Sequence, residues 1–231
     1  MLESNLYPTL GFCMCTNFTP SDKKIIYEMF DVPVPDVSFK RETFPGYLAP
    51  IVRRSQEGAS GSMECIAANF GLIPPWAKDK GVSRKTYNAR TETVGEKPSF
   101  RHAWKARQFC LVPMSCFFEP NYVTGKPVRW RIENEGKQDF AAAGIWESWK
   151  TDGHDEMSFS LLTINADGHA LMGQFHKPGD EKRSLVIVPP NQYSEWLTAD
   201  AELARTFLSL SPLENFSAQA APKQPHTLDL F

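Results

Sequence analysis

Ile25, Ile26, Met29 and Phe30 recur at helical spacing behind Thr19-Pro20-Ser21-Asp22, which predicts a capped amphipathic helix that Pro33 and Pro35 end. Over 34–61 the pattern loses its period. Pro, Gly and Ser are frequent there, so short strands mixed with loops are expected, with 56–62 the most open loop. The run 63–73 is almost continuously apolar, as suits a strand buried on both faces, and Pro74-Pro75-Trp76 stops it. A short helix is expected over 99–108, after Pro98. Strand signals then crowd together at 109–113, 116–122, 128–133, 140–149 and 159–164. Val128-Arg129-Trp130-Arg131-Ile132 alternates with period two, the mark of a half-exposed strand, and Gly125 and Gly136 punctuate hairpins. A helix at 168–175, a buried strand at 185–188 and a helix at 191–198 complete the pattern. From 211 onward the chain reads as a loosely held tail.

Many strands, short helices and no regular strand–helix alternation predict an α+β fold. It would be a single domain with an antiparallel, barrel-like β-sheet core and flanking short helices. The 231 residues are enough for a sizeable core without staples. No repeat and no dividing linker is visible. The expected organisation is a leader over 1–13, one domain over 14–210 and a tail over 211–231.

Composition narrows the function. A formal net charge of −2 gives no global basic field, so any nucleic-acid contact must come from a local basic groove. Five cysteines, an odd number with no Cys-x-x-Cys pair, indicate neither a disulfide framework nor a zinc site. Free thiols in a reducing cytoplasm are expected. The N-terminal segment does not read as a signal peptide, and no stretch approaches the roughly 18 apolar residues of a membrane span.

Four segments carry candidate chemistry. They are Met14-Cys15-Thr16-Asn17-Phe18; Phe70-Gly71-Leu72-Ile73-Pro74-Pro75-Trp76-Ala77 with Asn88-Ala89-Arg90-Thr91-Glu92-Thr93; Cys110-Leu111-Val112-Pro113 with Phe117-Phe118-Glu119-Pro120; and Thr163-Ile164-Asn165-Ala166 with His176 beyond it. In order and spacing they resemble the SOS-response-associated peptidase family, whose members process abasic sites. The likeness runs from about Met14 to Leu197.

The resemblance implies covalent capture of an abasic-site aldehyde in single-stranded DNA, with no metal, no organic cofactor and no required protein partner. A cysteine with a free α-amine condenses through nitrogen to an imine, and its thiol then closes a thiazolidine. The α-amine pKa of about 7.7–8.0 leaves a useful neutral fraction near pH 7.5. By the resemblance Cys15 is the nucleophile, Glu119 moves protons, His176 donates to the sugar ring oxygen, and Asn88 orients the reacting groups. Arg90 would meet phosphate and Trp76 would stack on a base. Lys177, Arg183 and Asn17 fall at further DNA-contacting places. The same catalytic set would cleave the peptide bond before the cysteine.

The chain also departs from the family pattern. Cys-Gly-Arg-Phe is replaced by Cys15-Thr16-Asn17-Phe18, and Pro120 stands where a Trp usually follows the aromatic-Glu pair. The His-x-Arg-Met-Pro motif becomes His176-Lys177-Pro178-Gly179-Asp180-Glu181-Lys182-Arg183. Thirteen residues precede Met14, and with them attached the Cys15 nitrogen is an amide. Three readings stay open: translation starting at Met14, a leader cut before Cys15, or loss of the covalent chemistry. Rival functions are a noncovalent single-stranded-DNA binder and a thiol hydrolase working through Cys15 and His176.

Overall fold

The computed structural model describes residues 17–56, 61–151 and 153–223, and the expected leader and most of the 56–62 loop lie outside them. The first helix forms where the spacing places it. α1 (Lys23–Phe30) follows Asp22, buries Ile26 and Phe30, and is closed by the left-handed Asp31, whose N–H donates to the Tyr27 carbonyl at 2.8 Å.

Among the described residues eleven strands make up the sheet. They are β1 (Asn17–Pro20), β2 (Leu48–Arg54), β3 (Met63–Phe70), β4 (Asn88–Arg90), β5 (Phe109–Asn121), β6 (Val128–Asn134), β7 (Phe140–Thr151), β8 (His154–Asn165), β9 (Arg183–Leu185), β10 (Ile187–Val188) and β11 (Phe216–Ala220). The path β7-β8-β3-β2-β5 returns to β7 and closes a five-stranded barrel, which leaves those strands no open edge. The other strands lie outside this ring: β1 and β6 on the second half of β5, β4 and β9 on β8, β10 on β7, and β11 on β6. The pairings are antiparallel except β3 with β8 and β4 with β8. Three further helices, α2 (Arg101–Lys105), α3 (Tyr193–Thr198) and α4 (Ala201–Thr206), complete the α+β architecture.

Alternate strand residues feed two cores. Phe109, Leu111, Ala141, Ala143 and Ile145 pack with Ile26, Trp104 and Trp196 from the helices. Cys110, Val112, Ala142, Phe159 and Leu161 pack with Phe70, Phe175 and Ile132 in the second core. Gly144 lies between adjacent strands of this second face. A Cβ there would come within 2.9 Å of both Cys110 Sγ and the Ser160 carbonyl.

Several expectations need correction. The strands expected at 109–113 and 116–122 are one strand, β5, with an irregularity in its middle. Thr19 pairs with Cys116 but Pro20 pairs with Met114, so Ser115 is bulged out of the ladder. Before the bulge the even residues Cys110, Val112 and Met114 enter the second core; after it the odd residue Phe117 does. The bulge thereby brings Glu119 onto the Met114 face.

The apolar run 63–73 leaves the ladder at Phe70, because Gly71 turns the chain at φ +119°. The helix expected at 168–175 is a single 3₁₀ turn, Met172–Gln174. The tail expected from 211 begins instead with a 3₁₀ turn, Ser211–Asn215, and then β11, which pairs with β6 from Phe216↔Asn134 to Ala220↔Trp130. Ser, Ala and Gln are weak strand formers, and β11 owes its place to Leu213 and Phe216, both buried. Among the described residues no helix is long and apolar enough to cross a membrane.

Candidate functional site

Past the bulge, β5 presents Glu119 with its carboxylate fully buried. The chain that follows the Met172–Gln174 turn is stitched to the end of this strand. Asn121 Nδ2 donates to the Gln174 carbonyl at 3.2 Å, Asn121 bridges to Phe175, and the His176 N–H donates to the Pro120 carbonyl at 2.9 Å. These bonds hold His176 at φ 62°, a sparsely populated conformation for a residue with a side chain.

Its imidazole lies 3.0 Å, Nε2 to Oε2, from Glu119, and both side chains are almost wholly excluded from solvent. The other ring nitrogen, Nδ1, accepts the Arg183 backbone N–H at 3.2 Å. Accepting that bond leaves the ring proton on Nε2, where it donates to Glu119. The pair is therefore a histidine N–H donor against a Glu119 oxygen as acceptor.

Behind the histidine lies a chain of opposite charges. The Arg183 guanidinium holds Glu92 with two parallel bonds of 2.9 Å and reaches Glu181 Oε1 at 2.8 Å and the Thr163 carbonyl at 2.5 Å. The second Glu181 oxygen meets Arg90 Nη1 at 2.8 Å. Burial pushes the Glu92 and Glu181 carboxyls up, but the Arg183 bonds and charge outweigh it and hold both below the ordinary carboxylate range. β4 brings Arg90 beside Thr163 and Asn88 beside Leu161. Asn88 and Arg90, two residues apart, share one face, while Ala89 faces the helix-side core.

The structure thus gathers Glu119, His176 and Arg183, and joins Arg90 to them through Glu181, with Asn88 on the Arg90 face of β4. Two expected DNA contacts are placed otherwise. The Arg183 side chain is 2% exposed and committed to carboxylates, so it organises the site from within rather than facing phosphate. Asn17 is buried and donates from Nδ2 to Glu42 Oε2 at 3.1 Å. The same carboxylate oxygen takes Arg129 Nη2 at 2.9 Å, and the Arg129 guanidinium stacks on Phe118, 3.3 Å from the ring centroid.

Trp76 is 59% exposed, with Nε1 donating to the Pro98 carbonyl at 3.2 Å, and so presents an indole face to solvent. Lys177 is exposed in the loop after His176. Cys15 lies outside the described residues. The three cysteines that are described, Cys65, Cys110 and Cys116, are buried free thiols. Burial pushes Cys65 up to about 12 and raises the other two as well, so none is a ready nucleophile.

Glu92, Glu181 and Glu42 are site residues that the sequence reading did not single out. Glu92 stood inside the Asn88–Thr93 motif and could have been flagged there. Glu181 and Glu42 carry no local signal, because their partners come from distant strands. Among the described residues no group of three or more His, Cys, Asp or Glu side chains is arranged to hold a metal ion.

A family model described as SOS response associated peptidase (SRAP) matches residues 14–224. The chain belongs to the SRAP family. The match takes in β11, and so agrees with the paired strand in place of a tail. The chain is similar to the abasic site processing protein YoaM of Bacillus subtilis, 32% identical over 80% of this chain and 79% of that protein. Abasic site processing protein YoqW of the same organism is 35% identical, over 55% of this chain and 54% of that protein, so this match spans about half of YoqW. A Bordetella bronchiseptica protein of known crystal structure shares the SRAP architecture with a TM-score of 0.83 and 31% identity, over 90% of this chain and all of that one. A Bacteroides thetaiotaomicron crystal structure shares the fold at TM-score 0.73 with 21% identity.

Proposed function

We propose that this SRAP-family chain processes abasic sites in single-stranded DNA by covalent capture through Cys15, exposed as an N-terminal residue. The observation that carries this reading is the buried Glu119–His176 pair with its proton fixed on Nε2. In such a pair the Glu119 carboxylate can take the proton of the anomeric hydroxyl, and later that of the attacking amine, and a proton so taken up can be passed through His176 to the sugar ring oxygen as the ring opens. The kinship with proteins named for abasic site processing supports the substrate.

In the capture step the Cys15 α-amine adds to the aldehyde carbon, and the carbinolamine loses water to give an imine. The thiol then adds across the C=N bond, with sulfur to carbon and the proton to nitrogen. One water leaves in total. The second ring-closing bond is intramolecular and gains the corresponding effective molarity. Asn17, two residues after Cys15 in the sequence, pairs with Phe118, the residue before Glu119. The same pair is suited to cleaving the peptide bond ahead of Cys15, a latent autopeptidase step that would free the amine. A reducing compartment such as the cytoplasm suits a working free thiol.

The test is a denaturing-gel assay with single-stranded DNA carrying one abasic site. The full chain and a version beginning at Cys15 are compared. A shifted band from the shorter form that disappears with Cys15→Ala is the expected result. No band from either form, with DNA binding intact, would overturn covalent capture and leave a noncovalent binder.

A further inference from the structure

Arg90 is the arginine of the site that still faces solvent, with its side chain 35% exposed, yet Glu181 already occupies it. The Glu181 carboxylate spreads its two oxygens between two guanidinium groups: Oε2 on Arg90 at 2.8 Å and Oε1 on Arg183 at 2.8 Å. A phosphodiester presents its two non-bridging oxygens to paired arginines in the same manner. Glu181 belongs to the segment that departs from the family motif, between His176 and β9. That segment is exposed at Lys177-Pro178-Gly179-Asp180 and turns at Gly179, φ 86°.

The two arginines are not equivalent. Arg183 is buried and keeps both Glu92 bonds and Thr163 whatever Glu181 does. Arg90 sits at the rim. Withdrawal of the Glu181 carboxylate therefore alters the rim and leaves the buried chain of bonds standing. Asn165 Nδ2, which donates to Glu181 at 3.1 Å, retains Asp167 at 2.9 Å.

We propose that Glu181 is a built-in phosphate mimic: it holds Arg90 in the DNA-free protein and is displaced when a DNA phosphate arrives. The proposal rests on Arg90 meeting DNA. Its consequence is that the entry of one phosphate is an exchange of anions. Arg90 is neutralised beforehand, so it contributes little counterion release, and affinity is held down by a competitor tethered to the protein itself.

The experiment measures noncovalent binding, with Cys15→Ala in the full chain and an undamaged oligo-dT strand, by fluorescence anisotropy across a salt series. Glu181→Gln is expected to tighten binding roughly 2–5-fold, the range a partly exposed ion pair supports. The slope of log affinity against log salt should steepen by about 0.7, the value for one further phosphate on a single strand. Asp180→Asn makes the same charge change one residue away and should reproduce neither effect. In an Arg90→Gln background Glu181→Gln should do nothing more. Equal or weaker binding by Glu181→Gln with an unchanged Tm would overturn the proposal, as would a gain that persists without Arg90. If no form binds the strand, the proposal falls together with the DNA role of Arg90. Adduct formation is read separately, so failure of the Cys15 chemistry would not be mistaken for either result.

Discussion

The backbone N–H of Arg183 points at Nδ1 of His176, and this one bond selects the nitrogen that offers a proton to Glu119. With Nδ1 used as an acceptor at 3.2 Å, Nε2 is the ring's donor. Replacing His176 by Gln should slow adduct formation by about 10²-fold or more, the usual contribution of a positioned acid or base. Glu119→Gln should cost a similar amount. The two side chains work as one hydrogen-bonded unit, so the double variant should be little slower than the worse single one. Single-turnover rates on abasic single-stranded DNA check this, and a double variant whose loss is the product of the two would contradict a shared role.

Trp76 should behave as a surface stacking group. It is exposed and anchored by one hydrogen bond to the Pro98 carbonyl, so Trp76→Ala should leave Tm nearly unchanged. It should weaken binding of single-stranded DNA by about 1–3 kcal/mol, the worth of one base on an aromatic face. The salt dependence should not move, because no charge is lost. A large drop in Tm with unaltered affinity would place the ring in the structural frame instead.

Gly71 should be intolerant of any side chain. Its φ is +119°, and a Cβ would lie 2.3 Å from the Ser83 carbonyl oxygen. That contact packs the Lys80–Lys85 turn against the end of β3, and Leu72 and Thr86 then bond to each other just ahead of Asn88. Gly71→Ala should cost about 2–3 kcal/mol or more, which lowers Tm by roughly 2–4 °C for each kcal/mol in a domain of this size. It should impair DNA processing beyond its effect on stability, since it displaces β4. Thermal melts and adduct assays at a temperature where the variant is folded would separate the two effects.

Acid should loosen the β6–β11 edge. Burial pushes the Glu133 carboxyl up, but hydrogen bonds from Lys137 and Arg131 and their charges bring it below its ordinary value of 4.5. A carboxyl lowered in the folded state contributes stability above its unfolded pKa and loses it as pH falls through the folded value. Wild-type Tm should therefore decline as pH drops below 4.5, and Glu133→Gln should flatten that decline while lowering Tm at neutral pH. Parallel curves for the two proteins would show that Glu133 is not responsible.

The long strands and α1 were legible because their apolar periods are local. So was the α+β class, since strand density without regular alternation leaves few other arrangements. β11 was not legible: Phe216-Ser217-Ala218-Gln219-Ala220 lacks strand character of its own and depends on an edge that β6 supplies from more than eighty residues away. The candidate site was picked out by resemblance alone. Glu119 and His176 are 57 residues apart, and nothing between them announces that they touch. The fate of Arg183 was hidden for a related reason. An arginine in an exposed-looking charged run becomes buried only because Glu92, 91 residues earlier, folds against it with both oxygens.

The bulge at Ser115 makes β5 a counting device. Each residue along a strand reverses the side on which the next one projects, and Ser115 adds a single count between the barrel and the site. Inserting one residue between it and Phe118, with the bulge kept, would turn the carboxylate outward and bring Phe118 in, with every side chain chemically intact, whereas deleting Ser115 would regularise the ladder and leave Glu119 on the Met114 face. Changes of two residues would restore the facing. Between the bulge and Glu119 the strand should therefore tolerate added length only in even steps, a constraint on chain length imposed by the direction of one carboxylate.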